Sequence, residues 1–163
     1  AGSLFVAMPA ATSFSQTSGV APYTVMETGR SFARLQDAVD AIGDGSGTIR
    51  FASLRFSDCA VQSQGEITYR AEVPGQSILD GKACEDKAAL VLRGRGARIE
   101  GMVFANIRVP DKNGAGVRLE HGNLSVSQAW FRDSEQGLLS GEDPHGTIRI
   151  DKSRPSAIRS ASP

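Results

Sequence analysis

Between Thr48 and Ile150 short apolar strands recur in couplets, each closed by Gly or by Asn/Asp. One series reads Ile49-Arg50-Phe51, Ile67-Thr68-Tyr69, Leu90-Val91-Leu92, Val117-Arg118-Leu119 and Leu138-Leu139. The other reads Ala60-Val61, Ile78-Leu79, Ile99-Glu100, Val126-Ser127 and Ile148-Arg149-Ile150. Leading positions advance by 18, 23, 27 and 21 residues in the first series and by 18, 21, 27 and 22 in the second, so the two lengthen and shorten together. Apolar runs this short, with turn residues between them, predict strands, and a tandem couplet predicts an all-β solenoid of about five coils.

Ahead of the couplets, Tyr23-Thr24-Val25-Met26 reads as a first strand. Phe32, Leu35, Ala38, Val39 and Ile42 then fall at helical spacing, with Ser31 placed as N-cap and Gly43 as terminator, which predicts an amphipathic helix over about 31–42. Such a helix has a physical use: the first coil of a solenoid exposes an apolar cross-section that must be capped. The predicted domain runs over 23–153. Residues 1–22 read as an arm, in which Leu4 to Ala11 resembles the tail of a secretory signal and is too short to span a bilayer. Residues 154–163 read as an irregular tail, since Pro155 stands where the repeat calls for an aromatic. An end without a visible cap predicts self-association through that end.

Composition narrows the classes. Eighteen basic residues balance eighteen acidic ones, so no overall field collects nucleic acid or an anionic membrane. With 18 Gly and only 6% aromatic residues the chain suits thin strands and tight turns rather than a helical bundle. Cys59 and Cys84 are the only cysteines. In an exported protein such a pair forms a disulfide, and in a reducing compartment it stays as two thiols; the signal-like segment favours a secreted or periplasmic location.

Superposing the third and fourth members of the first series by 27 residues places Leu90 on Val117, Leu92 on Leu119, Ile99 on Val126, Phe104 on Phe131 and Asn106 on Asp133. The last pair predicts a polar ladder that satisfies inward-curving peptide groups. Leu35-Gln36-Asp37-Ala38-Val39, Gly47-Thr48-Ile49, Ile78-Leu79-Asp80-Gly81 and Ile99 through Asn106, taken in that order, resemble right-handed parallel β-helix proteins of the pectate-lyase-like superfamily, over residues 23 to about 151. That resemblance implies a single-stranded right-handed parallel β-helix. It does not select an activity, because the scaffold serves polysaccharide lyases, glycoside hydrolases, epimerases, esterases and adhesins alike.

Alternation leaves Arg70, Arg93 and Glu120 in one outward column, with Thr68, Val91, Arg118 and Leu139 in a parallel one and His121 directly after. One consequence is a shallow groove in which Arg70 and Arg93 bind the carboxylates of a polysaccharide and Trp130 stacks on a sugar ring. Arg118, His121 and Glu120 would then assist abstraction of the proton α to a carboxylate, the step a lyase needs. The plainer consequence is a solvated charge ladder in which Arg93 and Glu120 pair and Trp130 packs under a loop, as in a non-catalytic structural, adhesive or carbohydrate-binding module. Hydrolases of the galacturonase type use Asp-Asp, Gly-His-Gly and Arg-x-Lys motifs; here only Glu120-His121-Gly122 stands, which argues against that mechanism. No cofactor is called for. Asp80, Glu100, Glu120, Asp133 and Glu135 form no single outward column, so calcium is permitted but unsupported. His145 falls in the turn-like Glu142-Asp143-Pro144-His145-Gly146.

Overall fold

The computed structural model describes residues 20–140 and 147–151. The expected arm (apart from its last residues), the tail over 154–163 and His145 lie outside them. A hairpin of β1 (Tyr23–Val25) and β2 (Arg30–Phe32) leads into helix α1 (Leu35–Ile42). Strands then follow one another: β3 (Ser46–Phe51), β4 (Arg55–Phe56), β5 (Ala60–Gln62), β6 (Glu66–Ala71), β7 (Ser77–Asp80), β8 (Ala88–Leu92), β9 (Gly96–Glu100) and β10 (Met102–Ala105). The chain continues through β11 (Ala115–Leu119), β12 (Asn123–Ser127), β13 (Trp130–Arg132), β14 (Gln136–Ser140) and β15 (Ile148–Asp151).

These strands wind into a parallel β-solenoid of about three turns with three faces. The first sheet runs β2-β1-β3-β6-β9-β12-β15, the second β4-β7-β10-β13 and the third β5-β8-β11-β14. Among the described strands β3 to β15 pairing is parallel, while β1 pairs antiparallel with both β2 and β3. The repeat is therefore three strands and not the couplet read from the sequence. The first apolar series jumps from the first sheet (β3, β6) to the third (β8, β11, β14), and the second crosses all three sheets. Within the first sheet the stacked positions are Ile49, Tyr69, Ile99, Val126 and Ile150, so the true steps are 20, 30, 27 and 24 residues. The apparent period arose because loops 81–87 and 106–114 lengthen one corner, while β4 is too short to register as a strand. The 27-residue superposition does match paired strands, with Val117 beside Leu90, Val126 beside Ile99 and Phe131 beside Phe104.

Alternate residues point inward and stack in columns. Ile49, Tyr69, Ile99 and Val126 from the first sheet, Leu79 and Phe104 from the second and Ala60, Leu90, Val117 and Leu138 from the third form one continuous buried core. The Phe104 and Phe131 rings lie stacked, 5.3 Å between centroids. Burial of each large member stabilises the fold by about 1.5–3 kcal/mol.

The buried polar side chains Gln62 and Ser77 find partners, although not from the expected ladder. Gln62, buried between turns, donates from Nε2 to the carbonyls of Gly65 and Gly96 at 3.0 and 2.9 Å and accepts the Tyr69 hydroxyl at 2.7 Å. The Ser77 hydroxyl donates to Phe51 and Ala52 carbonyls. Asn106 and Asp133 do occupy one corner position, but as left-handed turn residues with φ of 56° and 51°, aligned with Gly81 at 82°. Asn106 turns outward and donates to Asp80 Oδ1 at 2.8 Å. Asn and Asp tolerate this backbone conformation better than other non-glycine residues, which is the physical reason for their recurrence.

Helix α1 begins later than its apolar pattern predicts. Ser31 sits in β2, sharing a 2.9 Å hydrogen bond with the Thr24 hydroxyl, and Arg34 precedes the first turn without a side-chain cap. The free N–H of Leu35 instead donates 2.9 Å to Asp58 Oδ2, a carboxylate brought in from the corner before β5. Gly43, at φ 62°, ends the helix as its position predicts. Leu35, Ala38 and Val39 are buried against β1, β3 and β5. Gln36 accepts from Val61 N–H at 2.8 Å and donates to Val61 C=O at 2.9 Å, so the helix fills the open edge of β5 as a neighbouring strand would.

Cys59 and Cys84 form a disulfide, with Cα atoms 5.6 Å apart, that ties loop 81–87 to the corner before β5. Of the two alternatives for the pair, the bonded one is realised. Alkylation without reductant should leave the mass unchanged, and alkylation after reduction should add two groups. The Cys59→Ser/Cys84→Ser double variant should lose about 3 kcal/mol in urea unfolding, as expected for opening a loop of this size. Two alkylated thiols in unreduced protein would contradict the bond.

Candidate functional site

The predicted site residues are distributed over all three faces. On the third sheet Val61, Val91, Arg118 and Leu139 stack in one outward column, whereas Thr68 belongs to the first sheet beside Thr48 and Arg98. Arg70 likewise leaves the expected column of Arg93 and Glu120. It lies between Arg50 and Glu100 on the first sheet and donates from Nε to Glu100 Oε1 at 2.7 Å. Trp130 is on the second sheet, half-buried, with its ring edge 3.7 Å from where a Gly75 side chain would begin. His121 is exposed, and its backbone N–H donates to Leu92 C=O at 3.2 Å.

Arg93, Arg118 and Glu120 do converge. Glu120 Oε1 accepts from Arg93 Nε at 2.6 Å, and its Oε2 stands 3.0 Å from Lys87 Nζ and 2.8 Å from Arg118 Nε. The Arg118 N–H is not aimed along that last contact, so this buried nitrogen is close to a charge without a formed hydrogen bond. Arg93 also grips Glu85 with both terminal nitrogens. Glu85 and Asp86 take consecutive left-handed conformations, φ 55° and 53°, that turn loop 81–87 back over the sheet. Beneath it Val91 and Leu139 are buried with Ala88 and Ala115, so these outward positions are covered by chain rather than open to a ligand.

Electrostatics follow from the pairing. Burial pushes the Glu120 carboxyl up, but hydrogen bonds and charge from Arg93 and Lys87 outweigh it and hold the group below its ordinary value. The Arg93 guanidinium holds Glu85 down at about 2. A carboxylate so stabilised is a poor proton acceptor, and cations already satisfied by carboxylates are poorly placed to bind others. The cluster clamps a loop.

An open surface exists instead on the first sheet. There, Thr48, Thr68, Arg98, Ser125 and Arg149 stack as one outward column, flanked by Ser46, Glu66, Gly96 and Asn123. These residues line an open groove of about 580 Å³ that crosses the strands from β3 to β15, with Glu27 at its β3 end. Sequence reading missed Arg98 and Arg149. The signal was present in Ala97-Arg98-Ile99 and Ile148-Arg149-Ile150, each an outward residue between inward ones, but the couplet assignment put these strands in different series from β6.

Among the described residues no three His, Cys, Asp or Glu side chains are grouped to hold a metal ion, and no helix is long and apolar enough to cross a membrane. In comparisons with family models, curated proteins and solved structures, the chain matches none.

Two outcomes test the clamp. Glu120→Gln should destabilise the protein by about 2 kcal/mol, because Lys87, Arg93 and Arg118 are left facing one another. Glu85 binds its proton near pH 2 when folded and near 4.5 when unfolded, so its contribution is complete above about pH 4.5 and disappears as pH falls towards 2. Urea midpoints measured across that interval should fall less steeply for Glu85→Gln than for the parent; identical slopes would show that the Arg93 contact stabilises nothing.

Proposed function

We propose that the protein is an exported, non-catalytic carbohydrate-binding module of the pectate-lyase-like β-helix type, with α1 capping its first turn, and that it binds a uronate-bearing polysaccharide in the first-sheet groove. The observation that carries this reading is the column of Thr48, Thr68, Arg98, Ser125 and Arg149: hydroxyls suited to sugar oxygens, and two guanidiniums suited to carboxylates. A pleated surface holds these groups at fixed spacing, so little ordering is needed on binding. The lyase reading, with Arg118, His121 and Glu120 as catalytic groups, is disfavoured because Glu120 is paired with Lys87 and Arg93, and Arg118 lies against that same carboxylate. Export accords with the disulfide.

Calorimetry against alginate, pectate and glycosaminoglycan oligomers should find binding to at least one, and absorbance from an unsaturated product should stay flat with or without calcium. Arg98→Ala/Arg149→Ala should weaken binding at least about tenfold, a loss of 1.4 kcal/mol. Arg93→Ala should leave affinity unchanged. Turnover would overturn the non-catalytic reading, and absence of binding across the panel would overturn the module.

A further inference from the structure

The groove is not uniformly basic. Its lining carries carboxylates at one end, Glu27 and Glu66, and guanidiniums at the other, Arg98 and Arg149. Glu27 is held at the β3 end by the Thr48 N–H, which donates to its Oε1 at 2.8 Å. Glu66 lies over Gly96, where a Cβ would meet its Cγ at 3.1 Å and its Oε2 at 3.2 Å, so glycine leaves room for the carboxylate to lie along the sheet. Among the described residues no cation pairs with Glu66, and Arg98 meets a carboxylate only at 3.9 Å, in Glu100. Arg50 and Arg70 stand in the next column outside the groove lining, and Arg70 is drawn to Glu100.

We infer that this groove takes a polymer bearing free ammonium groups as well as carboxylates, the ammonium towards Glu27 and Glu66 and the carboxylates towards Arg98 and Arg149. This rests on the groove being the binding site. Strands repeat at about 4.8 Å, which separates the Glu66 strand from the Arg98 strand by one step and from the Arg149 strand by about 14 Å. A chain of uronates alone, laid across these strands, drives a carboxylate against Glu66 and Glu27. An amino sugar in alternation with a uronate replaces that repulsion with attraction, and acetylation of its nitrogen abolishes the charge.

Heparosan, an alternating N-acetylglucosamine and glucuronate polymer, and its N-deacetylated form differ in this one group. In calorimetry at matched low salt the N-deacetylated polymer should bind the full chain at least about tenfold tighter. Glu66→Gln, nearly isosteric and exposed, should erase that preference while leaving heparosan affinity equal or higher, and Arg98→Ala should weaken both polymers. Equal affinities for the two polymers, or a preference that survives Glu66→Gln, would overturn the ammonium assignment and leave the groove intact. If neither polymer binds, or if Arg98→Ala weakens neither, the groove itself is refuted and the assignment with it.

Discussion

Each parallel strand of this solenoid presents a row of backbone donors and acceptors that only the next turn can satisfy, and that requirement sets the register of everything else. Once Ile49, Tyr69, Ile99 and Val126 stack, their neighbours at Thr48, Thr68, Arg98 and Ser125 must stack too, on the opposite side of the same sheet. Core and surface columns are two consequences of one pairing. At the first turn, where no preceding turn exists, the same requirement is met by two devices. The β1–β2 hairpin pairs antiparallel on β3, and the Gln36 carboxamide takes the place of a backbone neighbour for Val61.

A corner can lengthen without disturbing that register, and the three corners differ sharply. Connections from the third sheet to the first span 63–65, 93–95 and 120–122 in the earlier turns, and 141–147 before β15. Those from the second to the third include 81–87 and 106–114. Among the described residues the long insertions therefore lie at the corner between the second and third sheets. Loop 81–87 folds over the third sheet and is kept there by the disulfide, by Arg93 with Glu85 and by Glu120 with Lys87, while the outer face of the first sheet lies open. The open face is a consequence of where the chain length is placed.

Part of this was legible along the chain: parallel stacking, the inward choice of Leu90 and Leu92 in β8 and of Val117 and Leu119 in β11, the pairing of Phe104 with Phe131 and the terminating role of Gly43. The number of strands per turn was not. Arg55-Phe56 is too short to display a period of two, and the variable corner made steps of 23 and 21 residues look like a repeat. That single misassignment moved Arg70 onto the wrong face and hid Arg98 and Arg149. The N-terminus of α1 was illegible for a different reason, because its donor is satisfied by Asp58, a residue that only the tertiary fold brings near. Likewise the room that Gly96 leaves for Glu66 exists only once β6 and β9 are side by side.

The two charged faces do different physical work. On the third sheet every cation of the cluster has a carboxylate within reach, and the outcome is local rigidity with little left to attract a ligand. On the first sheet Glu66 has no cation within ion-pair distance among the described residues, and Arg98 has only the long contact to Glu100. Unsatisfied charge there is tolerated because the side chains are solvated. Solvated charge held on a stiff pleat retains its capacity to attract an opposite charge without the cost of ordering a loop. Recognition on such a face is governed by the order of charges across successive strands, and that order is itself set by the pairing that builds the core.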